Sequence, residues 1–193
     1  MYAGDIPNTR EYERKNMVGL SLYNSDYRTI CHDVTMPYPI DDNFIDAYQA
    51  EDVFEHVAID KIVPAFNEIY RILKPGGYFR LSLPDYACDI LRERSLYDQN
   101  GRVVFDPYGG GSYVDGQVKN GGHVWFPLYK DVLQLIRESN FDKFDFYHYY
   151  DEHGVSVTKE IDYSKGWIQR TPDHDARVQQ PYRAMSIVVD LYK

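Results

Sequence analysis

Four ionisable side chains follow one apolar segment of the chain. Glu51, Asp52, Glu55 and His56 come directly after Phe44–Ala50. In open α/β sheets ligands bind beyond the carboxyl ends of the strands, so this cluster predicts an active site if the segment is a strand. Glu55 and His56 are its catalytic candidates. Acidic residues also favour the first turn of a helix, so helix capping is the alternative interpretation of Asp52 and Glu55.

His123 is the third catalytic candidate. Two glycines precede it, and Trp125 and Phe126 follow. An imidazole whose pKa lies near neutrality can take a proton from an acceptor hydroxyl. The surrounding stretch, Asp98–Phe126, is long and irregular, which is typical of a functional lid. The alternative interpretation is a loop histidine packed on Trp125.

The segment Thr171–Asp175 has the residue types of a metal site. Its aspartates and histidine are adjacent in sequence, so they cannot all face one ion. We expect a surface turn there, and the sequence predicts no metal ligands.

The hydrophobic pattern predicts the elements that position these residues. Apolar runs predict strands at Met17–Leu22, Tyr27–Asp33, Phe44–Ala50, Tyr78–Leu83, Phe144–Tyr150 and Ser186–Tyr192. Helical spacing predicts helices at Asp60–Leu73, Tyr86–Tyr97 and Tyr129–Ser139. Because the strands are apolar on both faces, the pattern indicates an α/β fold with a parallel sheet covered by helices on both faces.

The composition limits the classes of protein to consider. The 193 residues suit one domain, spanning 1–193, with the lid-like insertion at about 98–126. A net charge of −9 argues against nucleic acid as a partner. No apolar run is long enough to cross a membrane, and no signal peptide is expected. Cys31 and Cys88 are expected to be buried free thiols in a reducing cytoplasm.

The stretch from Asp33 to Asp85 resembles the class I S-adenosylmethionine-dependent methyltransferases of the methyltransferase type 11 group. The features that carry the resemblance are Asp33 at a strand end, the turn Pro37–Asn43, Asp46, the pair Glu55-His56 and the helix end Arg71–Gly77. The resemblance implies a Rossmann-like, mostly parallel seven-stranded sheet with an antiparallel closing strand. It also implies S-adenosylmethionine as the cofactor.

The resemblance further implies which residues bind this cofactor. They are Gly4, Asp5, Ser21, Asp33, Val34, Ala50, Glu51 and Asp52. The glycine-rich loop that the family places after its first strand is degenerate here, because Met1–Pro7 keeps only Gly4. Ser21 stands where the family has a carboxylate for the ribose, and Asp26 downstream is an alternative. Asp33, with Val34, is placed beside the adenine, unless its carboxylate merely caps a turn.

The function implied is methyl transfer to a small or glycan-like acceptor, with His123 or His56 as the base. The 19 tyrosines could contact the sugar rings of an acceptor, or they could line the surfaces of the sheet. A non-catalytic methyltransferase-like scaffold is the alternative, and a different nucleotide-like ligand is a third possibility. A homo-oligomer is possible, and no membrane partner is expected.

Overall fold

The computed structural model describes residues 1–13 and 16–193, and its centre is one eight-stranded sheet. In chain order the strands of this sheet are β1 (Tyr2–Ala3), β2 (Gly19–Ser21), β3 (Thr29–Cys31), β4 (Ile45–Glu51), β5 (Leu73–Pro84), β10 (Lys143–Tyr150), β11 (Ser156–Thr158) and β12 (Ser186–Tyr192). Two small hairpins pair β6 (Leu96–Tyr97) with β7 (Val103–Phe105) and β8 (Ser112–Val114) with β9 (Gln117–Lys119).

The sheet has the order β11-β10-β12-β5-β4-β1-β2-β3. Every pairing between two strands of the group β1 to β5 is parallel. Strand β12 is antiparallel to β5 and to β10, and β11 is antiparallel to β10. The predicted Rossmann-like, mostly parallel sheet with an antiparallel closing strand is confirmed. The edge strand β11 is an eighth strand, one more than the seven predicted.

The described residues form three α-helices between the strands: α1 (Ile59–Ile72), α2 (Asp89–Arg94) and α3 (Tyr129–Glu138). Helix α1 follows the predicted spacing, since Ile62, Phe66 and Ile69 are buried. Asp60 lies in its first turn and Ala58 is the N-cap. The helix ends at Ile72, and β5 begins directly after it and contains a Pro-Gly-Gly sequence in which Gly76 has a φ of 81°. Glycine adopts this left-handed conformation without the steric penalty of a Cβ.

The two faces of the sheet are covered differently. Helices α1 and α3 pack on the face that carries Tyr48, Phe79 and Leu81, where the main hydrophobic core lies. Residues 159–170, here called the strap, cross the opposite face in irregular conformation. Ile161 and Ile168 of the strap pack on Val188 of β12. This long polar segment follows no helical or strand periodicity, so its sequence did not reveal that it covers the sheet.

A buried ion pair fastens the strap. Arg80 of β5 and Asp190 of β12 are both fully buried and form two charge-assisted hydrogen bonds of 2.7 and 2.8 Å. The Nη1 group of Arg80 also donates to the backbone oxygens of Asp162 (2.8 Å) and Gly166 (2.6 Å). The guanidinium therefore ties two strands and the strap together, and these acceptors compensate its loss of hydration.

Both cysteines are free, as predicted. Cys88 is buried, but the expectation that Cys31 is buried is wrong. Cys31 lies on β3, which forms the edge of the sheet, so its side chain is exposed. Among the described residues there is no helix with the length and hydropathy needed to span a bilayer.

Replacing Arg80 with methionine is expected to lower the free energy of unfolding by about 3–5 kcal/mol, because a buried carboxylate would lose its partner. Urea unfolding followed by circular dichroism measures this. Lys74→Met is the control, since the Lys74–Asp46 pair is exposed and should matter little. Equal unfolding midpoints for the two variants would contradict the role given to Arg80.

Asp85, directly after β5, is expected to make stability depend on pH. Its carboxylate accepts from the backbone N–H groups of Ala87 and Tyr150, but burial raises its pKa from 3.8 to about 6. Between these values the unfolded carboxyl ionises and the folded one does not. Stability relative to Asp85→Asn should therefore fall by roughly 3 kcal/mol as pH rises from 4 to 7.

The matched control for this pH dependence is Asp89→Asn. The pKa of Asp89 is lowered, with hydrogen bonds from the Ile90 backbone and from Arg183 outweighing its desolvation. The wild type should therefore gain stability relative to Asp89→Asn over its acidic titration range. The same sign of pH dependence for the two comparisons would contradict the assignment.

Candidate functional site

The carboxyl ends of strands β1 to β4 bring the predicted residues to one edge of the sheet. Gly4 follows β1, Ser21 ends β2, Asp33 follows β3 and Glu51 ends β4. Because these strands are parallel, all four lie on the same edge. This is the edge at which open α/β sheets bind ligands.

Gly4 turns the chain sharply after β1. Its φ is 98°, its N–H donates to the Leu20 oxygen (2.7 Å), and its own oxygen accepts from the Leu20 N–H (3.2 Å). The next residue, Asp5, accepts from the Asn24 side chain at 3.2 Å. Asp5 lines a cleft of about 350 Å³ between residues 5–8 and 24–29. Asp26 lines the same cleft.

Ser21 and Asp33 both hold turns. The hydroxyl of Ser21 accepts from the N–H groups of Tyr23 (3.3 Å) and Asn24 (3.2 Å). The exposed carboxylate of Asp33 accepts from the N–H and hydroxyl of Thr35, both at 2.8 Å and both on Oδ1. The turn-capping alternative for Asp33 is therefore present in the structure. Its carboxylate nevertheless remains exposed at the end of β3.

Val34 and Ala50 contribute apolar side chains to this edge. Both are buried and belong to the main core, beside the polar residues that precede or follow them. Their predicted contact with the cofactor remains a prediction.

Glu51 is buried and saturated with hydrogen bonds. Its Oε1 accepts from the hydroxyl of Tyr12 (2.6 Å) and the amide of Gln49 (2.8 Å), and its Oε2 accepts from the Gln169 N–H (2.9 Å). Burial raises its pKa, although these donors oppose the shift. Glu51 thus binds the strap and Tyr12 to the end of β4. Its predicted contact with the cofactor remains a prediction.

Asp52 reaches outward from a strained backbone with a φ of 53°. Its Oδ2 lies 3.1 Å from Arg170, the last residue of the strap. Its buried Oδ1 has no hydrogen-bond partner among the described residues. Burial raises the pKa of Asp52, and the positive charge of Arg170 opposes this shift.

Glu55 and His56 lie on a short 3₁₀ turn, Phe54–His56, rather than on an α-helix. Glu55 is fully buried, and neither of its carboxylate oxygens has a hydrogen-bond partner in the described part of the chain. Its desolvation raises its pKa strongly, and the negative charge of Asp52 adds to the shift. His56 is exposed, with Nδ1 at 2.8 Å from the Gly121 oxygen.

The end of the lid-like stretch brings His123 to this turn. The Val124 N–H donates to the backbone oxygen of Glu55 (2.9 Å), and the Trp125 indole donates to the backbone oxygen of Phe54 (2.8 Å). The Nε2 atom of His123 then lies 3.6 Å from Glu55 Oε1. Trp125 therefore anchors the loop to the 3₁₀ turn. Glu55, His56 and His123 therefore lie close together. Their catalytic roles remain predictions.

A hydrogen-bonded chain behind His123 determines its tautomer. Its Nδ1 lies 2.5 Å from the Tyr86 hydroxyl, which donates to Asp106 (2.8 Å), and Asp106 is paired with Arg94 (2.6 Å). Since the hydroxyl proton points to Asp106, Nδ1 must carry the proton of the imidazole. Burial, followed by the charge of His56, lowers the pKa of His123 to about 4. Its Nε2 therefore presents a lone pair to Glu55.

Close packing also holds the His123 ring in place. A Cβ on Gly109 would lie 2.8 Å from this ring, so only glycine leaves room for it. Sequence reasoning missed Tyr86, Asp106 and the other partners of the site. The available signal was the position of Tyr86, two residues after the end of β5.

The segment Thr171–Asp175 forms a hydrogen-bonded turn, as predicted, but Thr171 and Pro172 are buried rather than on the surface. His174 stacks on Trp167 with ring centroids 4.4 Å apart, and its Nε2 lies 2.8 Å from the Ile168 oxygen. Its ring nitrogen is thus engaged by the turn itself.

The tautomer of His123 can be measured directly. Nitrogen-15 NMR of chelator-treated protein at neutral pH should show the Nδ1 atom of His123 protonated and its Nε2 atom unprotonated. Tyr86→Phe removes the acceptor of the Nδ1 proton and should shift the population toward the Nε2–H form. Tyr113→Phe, a change in the lid hairpin, is the control. An Nε2–H tautomer in the wild type would contradict the hydrogen-bonded chain.

The chain was compared with known families and solved structures. Residues 5–81 match the family model described as methyltransferase domain, while no curated protein matches the chain. An S-adenosylmethionine-dependent methyltransferase of Thermotoga maritima, a possible histamine N-methyltransferase, is similar in fold, with a TM-score of 0.53 and 15% identity over 92% of this chain and 72% of that chain.

Two further solved structures share the fold. One is an S-adenosylmethionine-dependent methyltransferase of Mesorhizobium loti, with a TM-score of 0.50 and 15% identity over 91% of this chain and 80% of that chain. The other is the PH0226 protein of Pyrococcus horikoshii, with a TM-score of 0.52 and 15% identity over 91% and 70%. Residues 5–81 thus match the methyltransferase domain model, and the chain has the fold of the class I S-adenosylmethionine-dependent methyltransferases.

Proposed function

We propose that this protein transfers the methyl group of S-adenosylmethionine to a hydroxyl of a small acceptor. The proposal rests on one observation: the matched domain contains the place where the polar side chains converge. The matched methyltransferase domain, residues 5–81, includes the end of β4 and the turn with Glu55 and His56, where polar side chains converge beside a loop. When bound, the cofactor supplies an electrophilic methyl group on a sulfonium sulfur.

At the carboxyl ends of the parallel strands, some of the predicted residues are available to contact this cofactor. Gly4 has the positive φ that lets backbone approach a ligand without a Cβ in the way. The exposed carboxylate of Asp33 can accept from the adenine amino group, with the apolar Val34 beside it. Ser21 and Glu51 are bonded to protein groups, so the contacts fit best at the ends of β1 and β3.

The chain's own groups would orient the acceptor and remove its proton. Displacement at a methyl group depends mainly on alignment and exclusion of water. The loop that ends at Trp125 would provide this exclusion, and its hairpins are the proposed lid. His56 is exposed and oriented by Gly121, so an acceptor hydroxyl can reach it. His123 offers a second lone pair, which stays unprotonated at neutral pH because its pKa is low.

A glycan-like acceptor is the finer part of this proposal. Many of the tyrosines serve packing instead: Tyr129 and Tyr149, for example, stack with centroids 4.2 Å apart beside the core. Tyr108, however, is 78% exposed in the lid-like stretch, with Arg94 5.3 Å from its ring centroid. An exposed aromatic face beside the site suits a sugar ring. The two free thiols support a reducing, cytoplasmic location.

The alternative is a methyltransferase-like scaffold without catalysis. Its specific support is the saturation of Glu51 by Tyr12, Gln49 and Gln169, together with the degenerate glycine loop. A fold can persist after its ligand site is lost.

Calorimetric titration separates the two functions. S-adenosylmethionine and S-adenosylhomocysteine should each bind with micromolar Kd, and Asp33→Ala should weaken binding by about 10-fold or more, because a charge-assisted contact is lost. Asp41→Ala, an exposed carboxylate of the same loop, is the matched control and should bind normally.

Absence of binding to either compound at millimolar concentration, by protein with a cooperative unfolding transition, would favour the scaffold. Equal affinities for Asp33→Ala and Asp41→Ala would show that the cofactor is not held at the end of β3.

A further inference from the structure

We propose that Glu55, His56 and His123 form a binding site for a divalent transition-metal cation of the Zn²⁺ type. One potential ligand atom from each residue lies within 4.8 Å of the other two. The proposal goes beyond methyl transfer and does not depend on it, because the geometry of the three side chains carries it. It also revises the sequence-based expectation of no metal ligands.

The first argument is that the carboxyl group of Glu55 is buried without a partner. Both of its oxygens are buried without a hydrogen-bond partner in the described part of the chain. Of the neighbouring acids, Asp52 is paired with Arg170 and Asp106 with Arg94. Glu55 is therefore the acid of this cluster with no cation of its own. Burying a carboxylate in this way is strongly unfavourable unless a counterion or hydrogen-bond donors compensate it.

A neighbouring side chain does not supply this compensation. The Nε2 atom of His123 lies 3.6 Å from Oε1, which is beyond a normal hydrogen bond. The hydrogen-bonded chain through Tyr86 places the His123 proton on Nδ1, so Nε2 presents its lone pair toward the Glu55 carboxyl group. A cation between Nε2 and this carboxyl group would bind both.

The second argument is the orientation of both imidazoles. His56 donates its Nδ1 proton to the Gly121 oxygen, so its Nε2 also carries the lone pair. In metal sites the non-ligating nitrogen of a histidine typically donates to a backbone carbonyl or another oxygen. Gly121 and the Tyr86 hydroxyl have this role for the two rings. The histidine rings lie edge to face with centroids 4.7 Å apart.

The donor set determines the class of ion. Two imidazole nitrogens and one carboxylate suit Zn²⁺ and related first-row cations, whereas Mg²⁺ and Ca²⁺ prefer oxygen ligands throughout. Ligands of a tetrahedral Zn²⁺ lie about 3.4 Å apart, given bonds of about 2.1 Å, so small side-chain rotations would close the present spacing. The exposed ring of His56 provides an entry path, and three protein ligands leave a position open.

The open position would give the site a chemical use. A cation there would lower the pKa of a bound water or acceptor hydroxyl, which removes the need for a free histidine as the base. The substrate class that fits is an acceptor whose oxygen completes the coordination.

The test is calorimetric titration of chelator-treated, full-length protein with Zn²⁺, without S-adenosylmethionine. The wild type should bind one Zn²⁺ with micromolar or tighter Kd and unfold at a higher temperature when loaded. His56→Ala, at an exposed position, and Glu55→Gln, of the same shape, should each weaken binding by at least about 10-fold. Circular dichroism verifies that each variant is folded.

His153→Ala is the matched control, because His153 and Glu152 form an exposed histidine–acid pair 3.7 Å apart. It should bind Zn²⁺ like the wild type. Substitution with Co²⁺ gives a second measurement, since a visible absorption band of low-symmetry coordination should appear in the wild type and vanish in His56→Ala.

Three results would overturn the proposal: no one-to-one binding at micromolar Zn²⁺ by folded wild type, unchanged affinity in both His56→Ala and Glu55→Gln, or tighter binding of Mg²⁺ than of Zn²⁺. Because no cofactor is present, failure here leaves methyl transfer untouched. Failure to bind S-adenosylmethionine would likewise leave the metal site standing.

Discussion

The buried pair of Arg80 and Asp190 is the interaction on which the polar half of this structure depends. It joins β5 to the antiparallel strand β12, and the same guanidinium holds the backbone of the strap through two carbonyl oxygens. A guanidinium has five donors in a fixed plane, so it can satisfy a carboxylate and two carbonyls together. An aliphatic residue at position 80 would leave the carboxylate and both carbonyls without this donor. The strap would then have only its apolar contacts with Val188 and its remaining hydrogen bonds to keep it on the sheet.

The position of the strap in turn shapes the carboxyl edge. Its Gln169 N–H donates to Glu51, and Arg170 at its end pairs with Asp52. These two acidic side chains at the end of β4 thus obtain partners from a segment more than 100 residues away in sequence. This arrangement separates two groups of acids. Glu51 and Asp52 have structural partners, while Glu55, a few residues further on, has none among the described residues. The carboxyl group without a partner is therefore the one next to the two histidines.

The two faces of the sheet are stabilised by different kinds of interaction. The face under α1 and α3 is a conventional apolar core, rich in edge-to-face aromatic pairs such as Phe54–Phe66 and Tyr48–Phe79. The opposite face carries Gln49, Glu51, Arg80 and Asp190, and the irregular strap covers it. Polar groups buried under irregular backbone must each find a specific partner. The site therefore lies where the face stabilised by apolar packing under α1 and α3 meets the face stabilised by hydrogen bonds under the strap.

The sequence by itself determined the mostly parallel sheet with an antiparallel closing strand, the positions of α1, α3 and the main strands, and the place of Glu51, Asp52, Glu55 and His56 after a strand end. The tertiary structure brought His123 to Glu55 and His56. The sequence could do so because apolar periodicity and glycine–proline punctuation are local signals, and because strand ends of a parallel sheet share an edge. Only the tertiary structure decided that the strap covers a face, that Cys31 is exposed, that Tyr86 orients His123, and that Glu55 is left without a partner. These features depend on contacts between segments distant in sequence, such as Arg80 with Gly166 and Tyr86 with His123. Local propensity carries no information about which distant donor reaches a buried acceptor, because that choice is made by packing.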